Sequence, residues 1–573
     1  MRTGAQCVMD GLKDAGVKTI FGLPGGSVLD LFDVLNQAPF EFVLVRHEQG
    51  AAHMADGYAR ATGQVGVCLV TSGPGATNTV TGLATAYMDG VPLVCITGQV
   101  PTQMIGNDAF QEADTVGITR AVTKHNYLVR NVDDLPRTLA EAFKIARTGR
   151  PGPVLVDIPK DVQRARTDAV FQGEPEIRSY RPMERGHAKQ VARLAEAINQ
   201  ARKPLILAGG GVIAGDAADE LAAVARTAGV PVATTLLGLG AFPETDPLAL
   251  RMVGMHGMVA ANRAINACDL LVSVGARFDD RVTGKIAEFA PHATIAHIDI
   301  DPSAIAKSVE TDIPVVGHVK RVLQDLLPQI ERRERPEWLS ELARWKAEAP
   351  VDFDRNSKAL LPQFVIEKIY EVSRGGAIVV TDVGQHQMWS AHFFRYTRPR
   401  SFLSSGGLGT MGYGLPAAIG AQMGRRGERV VAICGDGGVQ MNFQELVVAV
   451  EHRLPVTVVI LNNGHLGMVR QWQEMFYRRN YSATILTPGQ RPANERIPDS
   501  PPAPYRPDFV MMAEAHGARG IRVTRQDEVV PALEAAFAGS GPTVVECVVS
   551  PEENVFPMVP PGASLTEMVQ GMA

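Results

Sequence analysis

The chain has 573 residues, 45% hydrophobic and 20% charged, which excludes a disordered or fibrous protein and fits about three or four folded domains. Lys plus Arg is 56 and Asp plus Glu is 61, a net charge of −5, so nothing points to a nucleic-acid backbone as partner. No apolar run reaches the ~18 residues that span a bilayer, and Met1-Arg2-Thr3-Gly4 opens neither an apolar signal core nor a transit segment. The six cysteines are scattered without a C-x-x-C pair. That argues for buried free thiols and a cytoplasmic protein rather than a disulfide scaffold or zinc site.

In chain order, residues 17–21 read as a strand, 22–26 as a glycine-rich turn and 28–35 as a helix. Residues 40–45 form a second strand and 46–61 a helix, with further apolar strands at 65–70 and 93–97. Near-continuous apolar strands separated by helices predict a parallel α/β sheet covered on both faces. A charged, proline-containing stretch at 161–185 reads as a linker. Strands follow at 204–208, 230–235, 270–275 and 294–300, with glycine-rich turns between them. A polar stretch at 331–358 separates these from strands at 377–381, 429–434 and 456–461. The prediction is α/β, with three doubly wound parallel-sheet domains over 1–165, 186–330 and 359–550 and a tail at 551–573. Residues 488–507 hold seven prolines and read as an extended surface loop.

One motif carries chemistry. Gly435-Asp436-Gly437 follows one strand, and Asn462-Asn463 ends the next. In a parallel sheet that edge binds ligands. A carboxylate and an amide oxygen are hard ligands which, with two diphosphate oxygens and water, complete an octahedron around Mg2+. G-D-G alone is common in turns; G-D-G paired with N-N at the next strand end is far more specific.

This pairing resembles the thiamine diphosphate signature, and the chain as a whole resembles the acetolactate (acetohydroxyacid) synthase catalytic-subunit family. The resemblance runs from about Thr3 to the segment at 556–563 and includes the strings at 46–60 and 405–421. It implies three α/β domains: pyrimidine-binding, central FAD-binding and diphosphate-binding. It implies that Glu48 hydrogen-bonds N1′ of the cofactor's aminopyrimidine and relays a proton, with Gly26, Gln111 and Lys160 beside it. Gly409 would accept from the 4′-amino group, and Met411 would wedge between the rings. Val383, Gly384, Gln385 and His386 would contact the diphosphate, joined by Gly437, Gly438, Leu466, Gly467 and Met468. Asp436 and Asn463 side chains and the His465 carbonyl would hold Mg2+. Phe110, Met468, Val469 and Trp472 would line the substrate pocket, Trp472 selecting the second substrate. Residues 466, 469 and 472 also have the spacing of a plain core stripe, which is the competing reading.

The same resemblance implies an FAD set in the middle domain: Arg150, Gly209-Gly210-Gly211, Thr235-Leu236, Met255-His256-Gly257, Gly275-Ala276-Arg277, Asp279, Arg281-Val282, Asp299-Ile300 and His318. Arginines with glycine-rich turns suit a dinucleotide pyrophosphate, and the flavin's role looks structural, its motifs separate from the thiamine set. Ser27 stands where the family usually has Ala, and His318 where Asp is common. The implied reaction decarboxylates pyruvate and ligates the hydroxyethyl unit to a second pyruvate or to 2-oxobutanoate, opening branched-chain amino acid synthesis. The implied assembly is a homodimer or dimer of dimers with shared sites and a small regulatory subunit. Rival readings are a pyruvate oxidase, a glyoxylate carboligase, a keto-acid decarboxylase, or a non-catalytic flavoprotein, the last of which should have lost Glu48, Asp436 or Asn463.

Overall fold

The computed structural model describes residues 1–487 and 507–571; the proline-rich expectation, apart from Pro507, lies outside the described residues. Among the described residues, three six-stranded sheets, all parallel, carry the fold, and Arg2–Thr3 pairs antiparallel with Arg166–Thr167 in a small fourth sheet. The first contains β1 (Thr19–Leu23), β2 (Glu41–Leu44), β3 (Gly66–Val70), β4 (Leu93–Gln99), β5 (His125–Leu128) and β6 (Pro153–Pro159), in the order β2-β1-β3-β4-β6-β5. The second contains β7 (Pro204–Ala208), β8 (Val232–Thr234), β9 (Ala249–Met252), β10 (Leu270–Val274), β11 (Thr294–Asp299) and β12 (Ile313–Val316), ordered β9-β8-β7-β10-β11-β12, the doubly wound dinucleotide-type order. The third contains β13 (Ile378–Thr381), β14 (Phe402–Leu403), β15 (Val430–Gly435), β16 (Thr457–Asn462), β17 (Arg519–Val523) and β18 (Thr543–Val548), ordered β14-β13-β15-β16-β18-β17. Taken by position along the chain, the first and third sheets share one strand order.

The central strands are buried along their whole length, as runs rich in Val, Ile and Leu require when helices cover both faces. The first and third units share one continuous core, in which Met54, Tyr58 and Leu83 join Tyr413, Ile419 and Val430. Its seam is the crossing of α1 (Glu48–Thr62), through Gly57, with the later helix Gly414–Gly424, through Gly420. A Cβ on Gly57 would lie 2.0 Å from the Ala417 carbonyl oxygen, so only glycine lets the two backbones approach this closely.

The stretch at 331–358 is more than a separator. It contains the helix Pro336–Glu348, whose Trp338 is only 2% exposed and packs on the middle unit. Its charges obscured two apolar anchors, Trp338 and Leu342. The strands β5, β6, β9, β12, β14, β17 and β18 also escape the sequence reading; β5, β9, β12, β14 and β17 are short or edge strands with weak patterns, whereas β6 and β18 are buried internal strands that the apolar pattern could have shown.

Candidate active site

Three groups of residues gather at the carboxyl edges of the sheets. The first lies on the N-terminal unit. Glu48 opens α1 directly after β2, behind an N-cap in which the His47 ring accepts from the Gln49 N–H. That places its carboxylate at the positive end of the helix. Glu48 is 7% exposed, and Asn78 donates to its Oε2 at 2.9 Å. Lys160, after β6, donates to the Gly26 carbonyl at 2.6 Å, and the loop after β3 brings Gly73 against Gln111. Gln111 adopts φ 59°, and the neighbouring Phe110 is 88% exposed. Ser27 is built in: its Oγ accepts from the Ser72 N–H at 3.0 Å and hydrogen-bonds Thr71 at 3.0 Å. The structure therefore brings Glu48, Gly26, Gln111 and Lys160 to one edge of one sheet.

The second group follows the strands of the third sheet. Asp436 starts the turn after β15, and its Oδ2 accepts from the Gly464 N–H at 2.8 Å. This carboxylate thereby ties the G-D-G turn to the turn after β16. There the Asn463 Oδ1 accepts from the His465 N–H at 3.0 Å, and the Asn463 amide approaches Gln385 at 3.5 Å. Gln385 donates to Gln471 and to the Glu553 carbonyl, which joins the segment after β13 to the tail. His386 is buried with no partner for Nε2, and burial pulls its pKa down to about 4, so it stays neutral. Beyond β14, Gly409 takes φ 73°, and its loop carries Met411. A side chain on Gly437 would meet Leu466 at 2.7 Å and Met411 at 3.7 Å, so glycine keeps this space open. Val383 lies 3.8 Å from where a Gly409 Cβ would sit. Gly438 packs against Asp382, and Gly467 against Gln385 and Asn463.

The sequence reading missed Asp382. This buried carboxylate accepts from the Val383 and Gly412 N–H groups, and burial pushes its pKa up to about 7. It also missed Asn78 and Glu445. Glu445 reaches from the third unit to accept from the Arg46 N–H, two residues before Glu48. A lone Asp, Asn or Glu in a loop carries no signal of such a partner.

The third group forms a cleft of about 1200 Å3 between the units. Almost the whole expected flavin set lines it: Arg150, Gly210, Gly211, Thr235, Leu236, Met255, His256, Gly275, Ala276, Arg277, Asp279, Arg281, Val282, Asp299, Ile300 and His318. Gly209 and Gly257 do not line it; they pack against backbone behind it, Gly209 on Gly275 and Gly257 on Gly254. Among the described residues, Arg277 and Arg281 pair only with the half-exposed or exposed Asp279 and Asp280, at 3.8 and 3.6 Å.

Two expectations need correcting here. The flavin and thiamine motifs are not separate, because Val383, Gly384, Gly409, Met411, Met468, Val469 and Trp472 line the same cleft. Nor are residues 466, 469 and 472 a core stripe. On α2 (Gly467–Phe476) the buried side chains are Arg470, Gln471 and Glu474, whereas Val469 is 51% exposed. The helix docks through a polar face: Arg470 pairs with Glu474 and Glu552, and Gln471 exchanges hydrogen bonds with the Val555 backbone. Glu48, Gly26, Phe110, Gln111 and Lys160 do not line this cleft, nor do Asp436 and Asn463.

Comparison with known proteins agrees with this geometry. Three family models match in succession: the thiamine pyrophosphate enzyme N-terminal TPP binding domain at residues 2–118, the central domain at 191–326 and the C-terminal TPP binding domain at 382–547. The chain is 46% identical to the probable acetolactate synthase large subunit of Methanocaldococcus jannaschii, over 99% of this chain and 95% of that one. It is 48% identical to the acetolactate synthase of Mycobacterium bovis (99% and 91%) and 44% identical to the acetolactate synthase isozyme 3 large subunit of Escherichia coli (99% and 98%). With this identity sustained over nearly the full length of each relative, the chain belongs to the acetolactate synthase large-subunit family of thiamine pyrophosphate enzymes.

Proposed function

We propose that the protein is the catalytic subunit of an acetolactate synthase, using thiamine diphosphate, Mg2+ and FAD. It would join the two-carbon unit of pyruvate to a second pyruvate, giving 2-acetolactate, or to 2-oxobutanoate, giving 2-aceto-2-hydroxybutanoate. These products open valine, leucine and isoleucine synthesis. The observation that carries the reading is the single cleft in which Gly409 and Met411 face Met468, Val469 and Trp472.

The residues present fit each group. For thiamine diphosphate there is the space kept open by Gly437 between Met411 and Leu466, and the unpartnered Nε2 of buried His386. For Mg2+ there are hard oxygens on Asp436 and Asn463 at adjacent strand ends, held together through Gly464. For FAD there are the glycine turns and the two arginines of the middle unit, Arg277 and Arg281, with a buried and unpartnered Nδ1 on His318.

When bound, thiamine diphosphate supplies the electron sink for decarboxylation and carbon–carbon bond formation. The chain's own residues supply position and charge. Asn78 fixes one oxygen of Glu48, which orients the other for holding a proton at the pyrimidine. Lys160 pins the Gly26 carbonyl, which sets the turn over the pocket. Met468, Val469 and Trp472 give the acceptor an apolar wall, able to discriminate one methylene by about 1–3 kcal/mol. Because the Glu48 group stands outside the cleft of its own chain, we place it over the cleft of a second copy, in a homodimer or dimer of dimers. Relatives are named large subunits, so a small regulatory subunit is the further partner, in the cytoplasm.

Purified protein with all three cofactors should form acetolactate from pyruvate and the mixed product with 2-oxobutanoate. Acetaldehyde without carboligation would indicate a decarboxylase, and peroxide formation an oxidase; either would sink the reading.

A further inference from the structure

We propose that Asp89 is a positioning residue for the thiamine loop, held in place by Arg60 and acting through Gly406 and Gly407. The inference rests on the thiamine reading above and assigns a role to residues outside every set named so far.

The segment from Ser404 to Gly412 carries Gly409 and Met411 but belongs to no helix or strand. Its shape is set by what its polar groups find. Much of what they find lies on the N-terminal unit. The Gly406 N–H donates to Asp89 Oδ2 at 3.0 Å, and the Gly407 N–H to Asp89 Oδ1 at 2.7 Å. Thr410 shares a 2.7 Å hydroxyl bond with Thr85, one turn earlier on the helix Val80–Asp89. Tyr413, just past the loop, donates to Asp56 at 2.7 Å. The loop thus hangs at three points from the other unit, and Asp89 takes two successive N–H groups, those of Gly406 and Gly407, just before Gly409.

Asp89 is suited to this. Its side chain has no solvent exposure, and Arg60, itself 13% exposed, donates to it at 2.8 Å while also holding Asp56 at 2.6 Å. A buried carboxylate with one fixed cation has one orientation, and its bonds to two successive N–H groups are charge-assisted. An ion pair within the N-terminal unit would not by itself need both carboxylate oxygens aimed at one cofactor loop.

The same spot touches the middle unit. A Cβ on Gly407 would lie 2.7 Å from Asp89 Oδ1 and 3.0 Å from the Arg277 guanidinium. Arg150 donates to the Tyr87 and Met88 carbonyls, immediately before Asp89. The last turn of the Val80–Asp89 helix therefore fixes the thiamine loop on one side and a flavin-cleft arginine on the other.

The test uses full-length, FAD-loaded protein and two variants. Asp89→Asn replaces one accepting oxygen by a donor and so loses one loop N–H. Gly407→Ala leaves the Asp89 and Arg60 side chains unaltered, but its Cβ, 2.7 Å from Asp89 Oδ1, pushes the loop off Asp89. Thiamine diphosphate is titrated at saturating Mg2+ by calorimetry, alongside the thermal midpoint of the same FAD-loaded protein before thiamine diphosphate is added. Both variants should bind roughly tenfold more weakly or worse, the effect of one lost charge-assisted hydrogen bond, with midpoints within a few degrees of wild type. Unchanged affinity in both, or a lowered midpoint with unchanged affinity, would overturn the proposal and leave Asp89–Arg60 a structural pair. If Asp89→Asn fails to fold, Gly407→Ala decides alone. Wild-type protein that does not bind thiamine diphosphate would overturn the thiamine reading itself, and this inference with it.

Discussion

The Arg281 guanidinium lies over the indole of Trp472, 5.7 Å from the ring centroid. A side chain of the middle unit thus meets one of the third across the cleft, within cation–π range. The Trp472 Nε1 is buried without a partner, so the ring is held by its faces and edge, by Arg281 and by Phe476 at 5.9 Å. A ring held in this way presents a flat wall to whatever enters.

Trp472→Leu should therefore shift acceptor choice away from 2-oxobutanoate while pyruvate self-condensation continues. One methylene limits the change to roughly 10–200-fold. The product ratio in a mixed-substrate assay is the measurement. An unchanged ratio would remove Trp472 from the substrate wall.

Glu48→Gln should keep the fold and thiamine diphosphate binding but lose most activity. An amide accepts the Asn78 bond yet cannot exchange a proton. Hydrogen–deuterium exchange at the bound cofactor's thiazolium C2 should slow sharply, and exchange at the wild-type rate would take Glu48 out of the relay.

Asp436→Ala should weaken thiamine diphosphate and Mg2+ together, each by roughly tenfold or more. The alanine removes the proposed metal ligand and also frees the Gly464 N–H that aligns the Asn463 turn. Titration of cofactor-free protein with each ligand tests this, and a loss confined to Mg2+ would contradict a bridging site.

His392 gives a pH prediction. Burial lowers its pKa to about 3, and its ring N–H donates to the His256 carbonyl at 2.6 Å. Unfolded, the imidazole takes a proton near pH 6.5. The folded state binds fewer protons between those values, so this group's contribution is complete above pH 6.5 and falls as pH drops toward its folded value. His392→Gln can keep the donor without titrating. Relative to wild type, the variant should therefore gain about 2 kcal/mol between pH 6.5 and 5. Chemical denaturation at the two pH values, with all other titrating groups common to both proteins, reads the difference. Parallel pH profiles would show that His392 does not carry this proton linkage.

The strands that position the site were readable because β3, β7, β15 and β16 are uninterrupted apolar runs, buried on both faces. The G-D-G and N-N pair at their ends was readable because Asp436 and Asn463 stand in the turns directly after β15 and β16, which the Asp436–Gly464 bond ties together. What stayed hidden depends on tertiary partners. Asp89, Asp382 and Glu445 are ordinary acidic residues until the fold brings N–H groups to them. The face of α2 was misleading because its buried side is Arg470, Gln471 and Glu474, the reverse of what hydrophobic spacing expects.

That reversal bears on how such a protein can change. Most helices lining a pocket are anchored by their apolar residues, so altering specificity erodes the fold. Here the anchors are ion pairs and amides to Glu552 and the Val555 backbone, with Met468 packed on the core, while Val469 and Trp472 remain free of that duty. Positions 469 and 472, which line the cleft, can thus drift, or be randomised in a directed-evolution library, with little loss of folded protein. Substrate range and thermal endurance then become separately tunable traits of one helix.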